Sequence, residues 1–184
     1  QSSVTVYGIL DMGYYGSTAA SKNTAGVETK TTTSSFRSGQ ESTSRLGFKG
    51  NEDLGGGSSA FFTVEIGLTP NSEQNINTGA TQNRQTFVGL KKNGIGQAAV
   101  GTQYTPVFNS AAATDVGQLN NVAGNVIYAS GGNGAGATGL AFTSRTSNTL
   151  SAQSDTFAGF KASAIAVLNA KNGSEVSSGT TATG

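Results

Sequence analysis

Hydrophobic residues recur at every second position in several separate segments of this chain. In the clearest segment, which begins at Ser59, the alternate residues form an apolar row of Ala60, Phe62, Val64, Ile66 and Leu68. Most of the residues between them are polar or glycine. A period of two places alternate side chains on opposite faces of an extended strand. The segment is therefore predicted to be a β-strand with one apolar face and one polar face.

The same alternation predicts about seven strands along the whole chain. In the other segments the apolar face carries Val4, Val6, Leu10, Met12, then Leu46, Phe48, then Thr86, Val88, Leu90, then Ala98, Val100, then Leu150, Ala152, and finally Phe160, Ala162, Ala164, Ala166. The last segment is the least regular, because Ile165 and Val167 fall on its other face. Helical periodicity is not found, since Gly, Ser, Thr and Asn interrupt nearly every window.

The connections between these strands alternate between short and long. Short turns, rich in residues that tolerate positive φ, are expected at 52–57, 93–96 and 155–159. The long connections are polar or Gly-rich and cover Gly16–Gln40, Thr69–Gln82 and about Tyr104–Phe142. Short turns at one end and long loops at the other are typical of a transmembrane β-barrel, although a soluble β-sandwich can also alternate in this way.

Three glycines on the polar faces favour the barrel over the sandwich. Gly47, Gly67 and Gly89 lie opposite large apolar residues. A sandwich has no need of small residues on its solvent face. In a barrel, small inner residues would keep a channel open.

Composition excludes several classes of function. The 184 residues contain no Cys and no His, so a disulfide framework, a thiolate or imidazole metal site and a Ser-His-Asp unit are all excluded, and no cofactor is expected. A net charge of +1 with scattered basic residues argues against nucleic-acid binding. The apolar run Ala162–Leu168 is far shorter than the roughly 20 residues of a spanning helix. No leader precedes Val4, so the chain is expected to be a mature exported protein.

Five short motifs occur in order along the first part of the chain. They are Val4–Asp11, Ser44–Gly50, Glu52–Gly57, Asn83–Leu90 and Gln103–Pro106. In order and approximate spacing they resemble the Gram-negative general-diffusion porins, and most closely those of β-proteobacteria. Beyond residue 107 the likeness is looser, and it recovers around Arg145–Asn148.

The resemblance implies an all-β fold, a transmembrane antiparallel β-barrel that is 16-stranded and assembles as a homotrimer in the bacterial outer membrane, in contact with its lipid and lipopolysaccharide. Residues 1–184 would form a single domain of it. In the family the third extracellular loop folds into the lumen, and here it corresponds to about Tyr104–Val126. The implied function is passive diffusion of small hydrophilic solutes, not catalysis. The second loop, Thr69–Gln82, is the expected contact between subunits.

The length is short for such a barrel, because sixteen strands with their loops need about twice as many residues. The chain is therefore expected to be the N-terminal half of a longer protein. The alternative is a non-conducting structural or adhesive β-protein, for example a complete eight-stranded anchor barrel.

Charged residues on the inward faces are the candidate functional residues. In the family, basic residues of the wall face acidic ones on the third loop, which sets selectivity at the narrowest point. The resemblance carries the wall role to Arg45, Arg84 and Arg145. With residues that share the inward parity, and with the acid of the proposed third loop, the predicted pore-lining set is Arg45, Lys49, Arg84, Arg145, Asp115, Asp11, Glu65 and Tyr7.

Arg84 presents a difficulty, because counting back from Thr86 and Val88 places it on the lipid face. A charge at mid-bilayer on that face costs about 2–4 kcal/mol. Either a β-bulge turns it inward or it lies above the membrane near a loop, and it is ranked below Arg45. A balance of about three or four positive groups against one negative group predicts a preference for anions.

Overall fold

The computed structural model describes residues 2–73, 83–121 and 144–168, which form antiparallel strands and one short helix. In chain order the elements are β1 (Ser3–Ile9), β2 (Met12–Lys22), β3 (Glu28–Ser38), β4 (Arg45–Gly55), β5 (Ser58–Gly67), β6 (Asn83–Lys92), β7 (Gly96–Tyr104), α1 (Pro106–Thr114), β8 (Arg145–Ser154) and β9 (Ser163–Val167). Parts of two predicted loops, 74–82 and 122–142, lie outside the described residues.

Seven of these strands form one antiparallel sheet in the order β1-β4-β5-β6-β7-β8-β9. From β4 onward each strand pairs with the next in sequence, so the sheet is a meander joined by tight turns at one end. Among the described residues, β1 and β9 each pair on one side only, and the sheet does not close on itself. Pairing of the first and last strands, which a complete eight-stranded barrel would require, is therefore not observed here.

The two faces of the sheet are inverted relative to a soluble protein. Large apolar side chains such as Val6 (62% exposed) and Leu90 (61% exposed) stand on the outer face. In the described part of the chain, the buried hydrophobic residues are only Ala99 and Ala111, whereas the buried polar residues are Ser44, Glu65, Arg84, Gln103, Thr105, Asp115 and Thr149. A sandwich would bury its apolar faces against each other. This arrangement is that of a barrel wall, apolar outside and polar inside.

The prediction of a long loop at Gly16–Gln40 is wrong, because most of this segment forms a two-stranded ribbon of β2 and β3. The ribbon continues the hairpin that β1 and β4 begin. At its tip, Asn23 Oδ1 accepts the backbone N–H groups of Ala25 and Val27, and Gly26 has a φ of 79°. Threonine and serine predominate in β3, and β2 mixes glycine, tyrosine, alanine and serine, so neither strand has a long apolar row by which alternation of hydrophobicity could reveal it.

The interpretation that inner glycines keep a channel open is also wrong for two of the three. Gly47 pairs directly with Tyr7, and a Cβ at Gly47 would overlap the Tyr7 ring. Gly89 pairs with Phe61 in the same way. An aromatic ring lying over a cross-strand glycine covers backbone that would otherwise be open. These glycines make room for neighbouring rings.

The helix α1 was not predicted from the sequence, since its alanine-rich segment is only nine residues long. Thr105 caps its N-terminus by accepting the Phe108 N–H, and Pro106 occupies the first turn. Pro106 shares a cavity of about 180 Å³ with Phe87 and Ile165, so the helix lies against the inner face of the sheet. No helix in the ranges that the structure covers is long and apolar enough to cross a membrane.

Candidate functional site

A buried ion pair joins strands β5 and β6 on the inner face, near the ends of the strands that lead into the long loops. Arg84 Nε donates to Glu65 Oε1 at 2.7 Å, and the two residues are only 5% and 4% exposed. The strand register explains the facing of Arg84: Glu65 pairs with Gln85 but Ile66 pairs with Asn83, which leaves Arg84 as an extra residue. This β-bulge turns the guanidinium inward, so the lipid-facing parity does not apply to it.

Two tyrosines complete the hydrogen bonding of this pair. Tyr7 OH donates to the second carboxylate oxygen of Glu65 at 3.0 Å. Arg84 Nη2 donates to Tyr104 OH at 2.7 Å. A buried ion pair is stable only when its remaining donors and acceptors are satisfied. The four residues therefore form one electrically neutral network across β1, β5, β6 and β7.

The network continues into the loop that follows β7. The Tyr104 ring stacks on Phe108 of α1, with centroids 4.2 Å apart and planes inclined by 6°. Thr105, which caps α1 and lies between Tyr104 and Phe108 in the sequence, is fully buried. The first turn of the helix is thereby fixed to the wall at the same point as the ion pair.

Arg45 and Lys49 lie beside the network on strand β4. Arg45 Nη2 donates to Ser42 Oγ at 3.1 Å. Lys49 Nζ lies 5.6 Å from the centroid of the Tyr7 ring, within reach of a cation–π contact. Neither side chain has a carboxylate within ion-pair distance among the described residues. Both retain the inward facing that their parity predicts.

A second group of cations surrounds a cavity of about 460 Å³ on the side of the network towards the ribbon. Its lining includes Arg37, Arg84 and Arg145 and contains no carboxylate among the described residues. Arg145 Nη1 is buried without a hydrogen-bond partner, and its guanidinium lies 5.5 Å from the Tyr104 ring centroid. The charged groups around this cavity are therefore arginines.

Arg37, like Tyr104, belongs to the site but was not predicted from the sequence. It lies on β3 with its guanidinium 3.7 Å above the Tyr15 ring, and its Nε donates to Ser35 Oγ. Because the ribbon was predicted as a loop, no facing could be assigned to it. Arg37 pairs with Gly13, which the alternation of the first segment places on the inward face. Recognising the ribbon would therefore have predicted that Arg37 faces inward.

The two predicted aspartates have carboxylates that accept backbone hydrogen bonds. Asp11 Oδ2 accepts the N–H groups of Glu41 and Ser42, both at 2.7 Å. Asp115 is buried at the C-terminal cap of α1, and its Oδ2 accepts the Leu119 N–H at 2.8 Å. Carboxylates engaged in this way stabilise turns. Their charge is partly compensated by the peptide dipoles that they accept.

The functional groups that this site presents are charged side chains. Within the described residues, no group of three or more acidic side chains is close enough to hold a metal ion. Beside the Arg84–Glu65 pair, the described residues give no ion-pair partner to Arg37, Arg45, Lys49 or Arg145. The carboxylates of Asp11 and Asp115 instead accept backbone N–H groups.

Comparison with known proteins agrees with this geometry. The chain matches the family model described as Gram-negative porin over residues 1–184. It is 34% identical over 131 residues to Major outer membrane protein P.IB of Neisseria gonorrhoeae, a match that covers 70% of this chain and 34% of that protein. It is 32% identical over 166 residues to Outer membrane porin protein 32 of Delftia acidovorans, covering 88% and 43% respectively.

Among solved structures, the anion-selective porin from Comamonas acidovorans aligns with a TM-score of 0.65 and 27% identity, over 89% of this chain and 46% of that one. The chain thus spans less than half the length of these relatives. The predictions of a porin-type β-barrel fold and of a place in the bacterial outer membrane are confirmed. Fold, face polarity and sequence all agree that the chain belongs to the Gram-negative porin family.

Proposed function

We propose that this chain forms part of the wall of a water-filled channel through which small hydrophilic solutes diffuse passively, with anions preferred over cations. The proposed preference for anions rests on one observation. The buried carboxylate of Glu65 is paired with Arg84, while Arg37, Arg45 and Arg145 have no ion-pair partner among the described residues. The similarity to the anion-selective porin from Comamonas acidovorans supports the same direction.

The physical basis is the potential that fixed charges produce in a narrow aqueous passage. Two unit charges about 4 Å apart interact by about 1 kcal/mol in water and by several times that near low-dielectric walls. A strand wall with an apolar exterior has such low-dielectric surroundings on one side. Cations fixed on its inner face therefore raise the local concentration of anions and lower that of cations.

The third loop, about 104–126, is proposed to narrow this passage. Support comes from α1, which lies against the inner face and is fixed there by the Tyr104–Phe108 stack. A helix in that position would bring a passing solute close to Arg84 and Arg145. Selectivity is decided where a solute must approach fixed charges closely. The pore-lining roles of Arg45, Lys49, Arg84 and Arg145 follow from this proposal.

Solute flux into liposomes tests the function directly. The full-length protein is reconstituted, and swelling is measured in solutes of matched size that are anionic, neutral or cationic. We expect swelling in all three, fastest with the anion. Absence of swelling would favour a non-conducting anchor or adhesive protein, and faster swelling with the cation would contradict the charge assignment.

We further propose that the complete protein is a homotrimer embedded in outer-membrane lipid and lipopolysaccharide, with the second loop, Thr69–Gln82, contacting a neighbouring subunit. The family membership supports this assembly. Native mass measurement of the detergent-extracted protein before and after heating should give three chains and then one. A single chain in the unheated sample would contradict it.

A further inference from the structure

The segment that follows α1 is docked onto the junction between the ribbon and the sheet. Asn121 donates twice, from its backbone N–H to Glu41 O at 2.8 Å and from its side-chain Nδ2 to Gly39 O at 2.7 Å. Asn120 Nδ2 adds a longer bond to Glu41 Oε1 at 3.3 Å. The segment after α1 is therefore attached to the wall at a different point from the segment before it.

The docking surface is itself organised by one carboxylate. Asp11 Oδ2 accepts the N–H groups of Glu41 and Ser42, and Asp11 O accepts the Gly39 N–H at 3.2 Å. Ser44 Oγ, fully buried, accepts the Asp11 N–H at 2.9 Å. These bonds fix the turn whose carbonyl groups receive Asn121. We call the turn 39–44 with Asp11 the junction.

The docked segment is a turn that needs support to hold its shape. Gln118 and Leu119 have φ values of 52° and 56°, in the left-handed region that is unfavourable for residues with a Cβ. Asp115 Oδ2 accepts the Leu119 N–H, and Gly117 O accepts the Asn120 N–H at 3.0 Å. Such conformations persist where the surrounding structure determines them.

We propose that Asn121 is a positioning residue that latches the segment after α1 to the junction, and thereby sets how wide the lumen is beside α1. The segment before α1 is held independently by the Tyr104–Phe108 stack and the Arg84 bond to Tyr104. With an attachment before α1 and another after it, the described segment 104–121 is held at both of its ends against the wall. This inference rests on the proposed channel function for its consequence, but the latch itself is a structural contact.

Replacing Asn121 by alanine tests the consequence. Asn121→Ala removes the Nδ2 donor without changing charge. In planar bilayers containing the full-length protein, we expect larger single-channel conductance, a smaller anion-to-cation permeability ratio, and brief current fluctuations about fivefold more frequent, as the loss of one hydrogen bond implies. Conductance, selectivity and noise equal to those of the parent would overturn the proposal.

Asn109→Ala is the matched control, because Asn109 lies exposed on α1 in the same loop and makes no side-chain hydrogen bond among the described residues. The same chemical change there should leave conductance and noise at the parent level. Equal effects of the two substitutions would indicate that any asparagine in the loop matters, which would also contradict a latch.

A disulfide separates failure of the latch from failure of the channel. The 184 residues contain no cysteine, so the double variant Glu41→Cys with Asn121→Cys introduces one defined pair where the two backbones are already hydrogen-bonded. Oxidation in isolated outer membranes should cross-link the pair rapidly, whether or not the protein conducts. Failure to cross-link would overturn the latch itself. In a conducting protein, oxidised channels should be quiet and reduced channels noisy.

Discussion

The guanidinium of Arg84 meets the carboxylate of Glu65 at 2.7 Å on the inner face, although the strand parity of Arg84 is that of a lipid-facing residue. A single extra residue in β6 produces this contact. The consequence extends beyond one side chain. The pair neutralises the buried charge of Glu65, and the neighbouring arginines and Lys49 have no ion-pair partner among the described residues.

Glu65→Gln should increase anion preference while lowering stability. The substitution removes the charge that neutralises Arg84, and breaking a buried pair on one side costs about 3 kcal/mol. We expect a larger anion-to-cation permeability ratio and a lower temperature of heat-induced subunit dissociation. Glu52→Gln is the control, because Glu52 is exposed at the turn end of β4. Equal effects of the two substitutions on dissociation would contradict a special role for the pair.

Arg45→Glu should weaken or reverse the anion preference. Arg45 is partly exposed on the inner face, and its one side-chain partner in the part of the chain that the structure describes is the Ser42 hydroxyl, so we expect its charge to act on the lumen. The zero-current potential in a salt gradient measures the change. Lys22→Glu makes the same change in charge at the end of β2, far along the ribbon, and should shift the potential much less. An unchanged potential for Arg45→Glu would remove Arg45 from the selective region.

Two substitutions of Tyr104 separate its ring from its hydroxyl group. Tyr104→Phe keeps the stack on Phe108 and loses the acceptor of Arg84 Nη2, whereas Tyr104→Leu loses both. Aromatic pairs contribute about 0.5–1.5 kcal/mol beyond area burial. We expect Tyr104→Leu to expose the loop to limited proteolysis more than Tyr104→Phe does. The same cleavage rate in both variants would show that the stack does not hold α1.

Gly47→Ala should destabilise the protein, and removal of the Tyr7 ring should relieve most of that effect. A Cβ at Gly47 overlaps the ring, so the first substitution forces Tyr7 away from Glu65. Overpacking of this kind costs about 1–3 kcal/mol. Heat-induced dissociation of Gly47→Ala, Tyr7→Ala and the double variant forms a double-mutant cycle. Strict additivity of the two effects would mean that the ring and the glycine are independent.

The sequence predicted the sheet well because its strands are bounded by water and lipid. Segments such as Ser58–Gly67 must alternate, since each residue faces one medium or the other. The ribbon of β2 and β3 was missed because it lacks the apolar row that a lipid-facing strand carries. The helix α1 was missed because nine residues rich in small side chains leave no helical stripe to detect.

The candidate site was predictable in its residue types and less so in its contacts. Motif resemblance identified Arg45, Arg84 and Arg145, but periodicity counts residues and cannot register the bulge that turns Arg84 inward. Asp11 accepts N–H groups thirty and thirty-one residues along the chain, which only tertiary structure brings near, whereas Asp115 holds a local turn by accepting the Leu119 N–H. The facing of Arg37 could be predicted only after the ribbon was known.

The zero-current potential of the unmodified full-length protein in a potassium chloride gradient tests the central claim most directly. Potassium and chloride have nearly equal mobility, so the sign of the potential reports the fixed charge of the passage. We expect chloride to permeate faster than potassium, and the potential to have the corresponding sign. A potential of the opposite sign, or one near zero in an open channel, would contradict a passage governed by unpaired arginines.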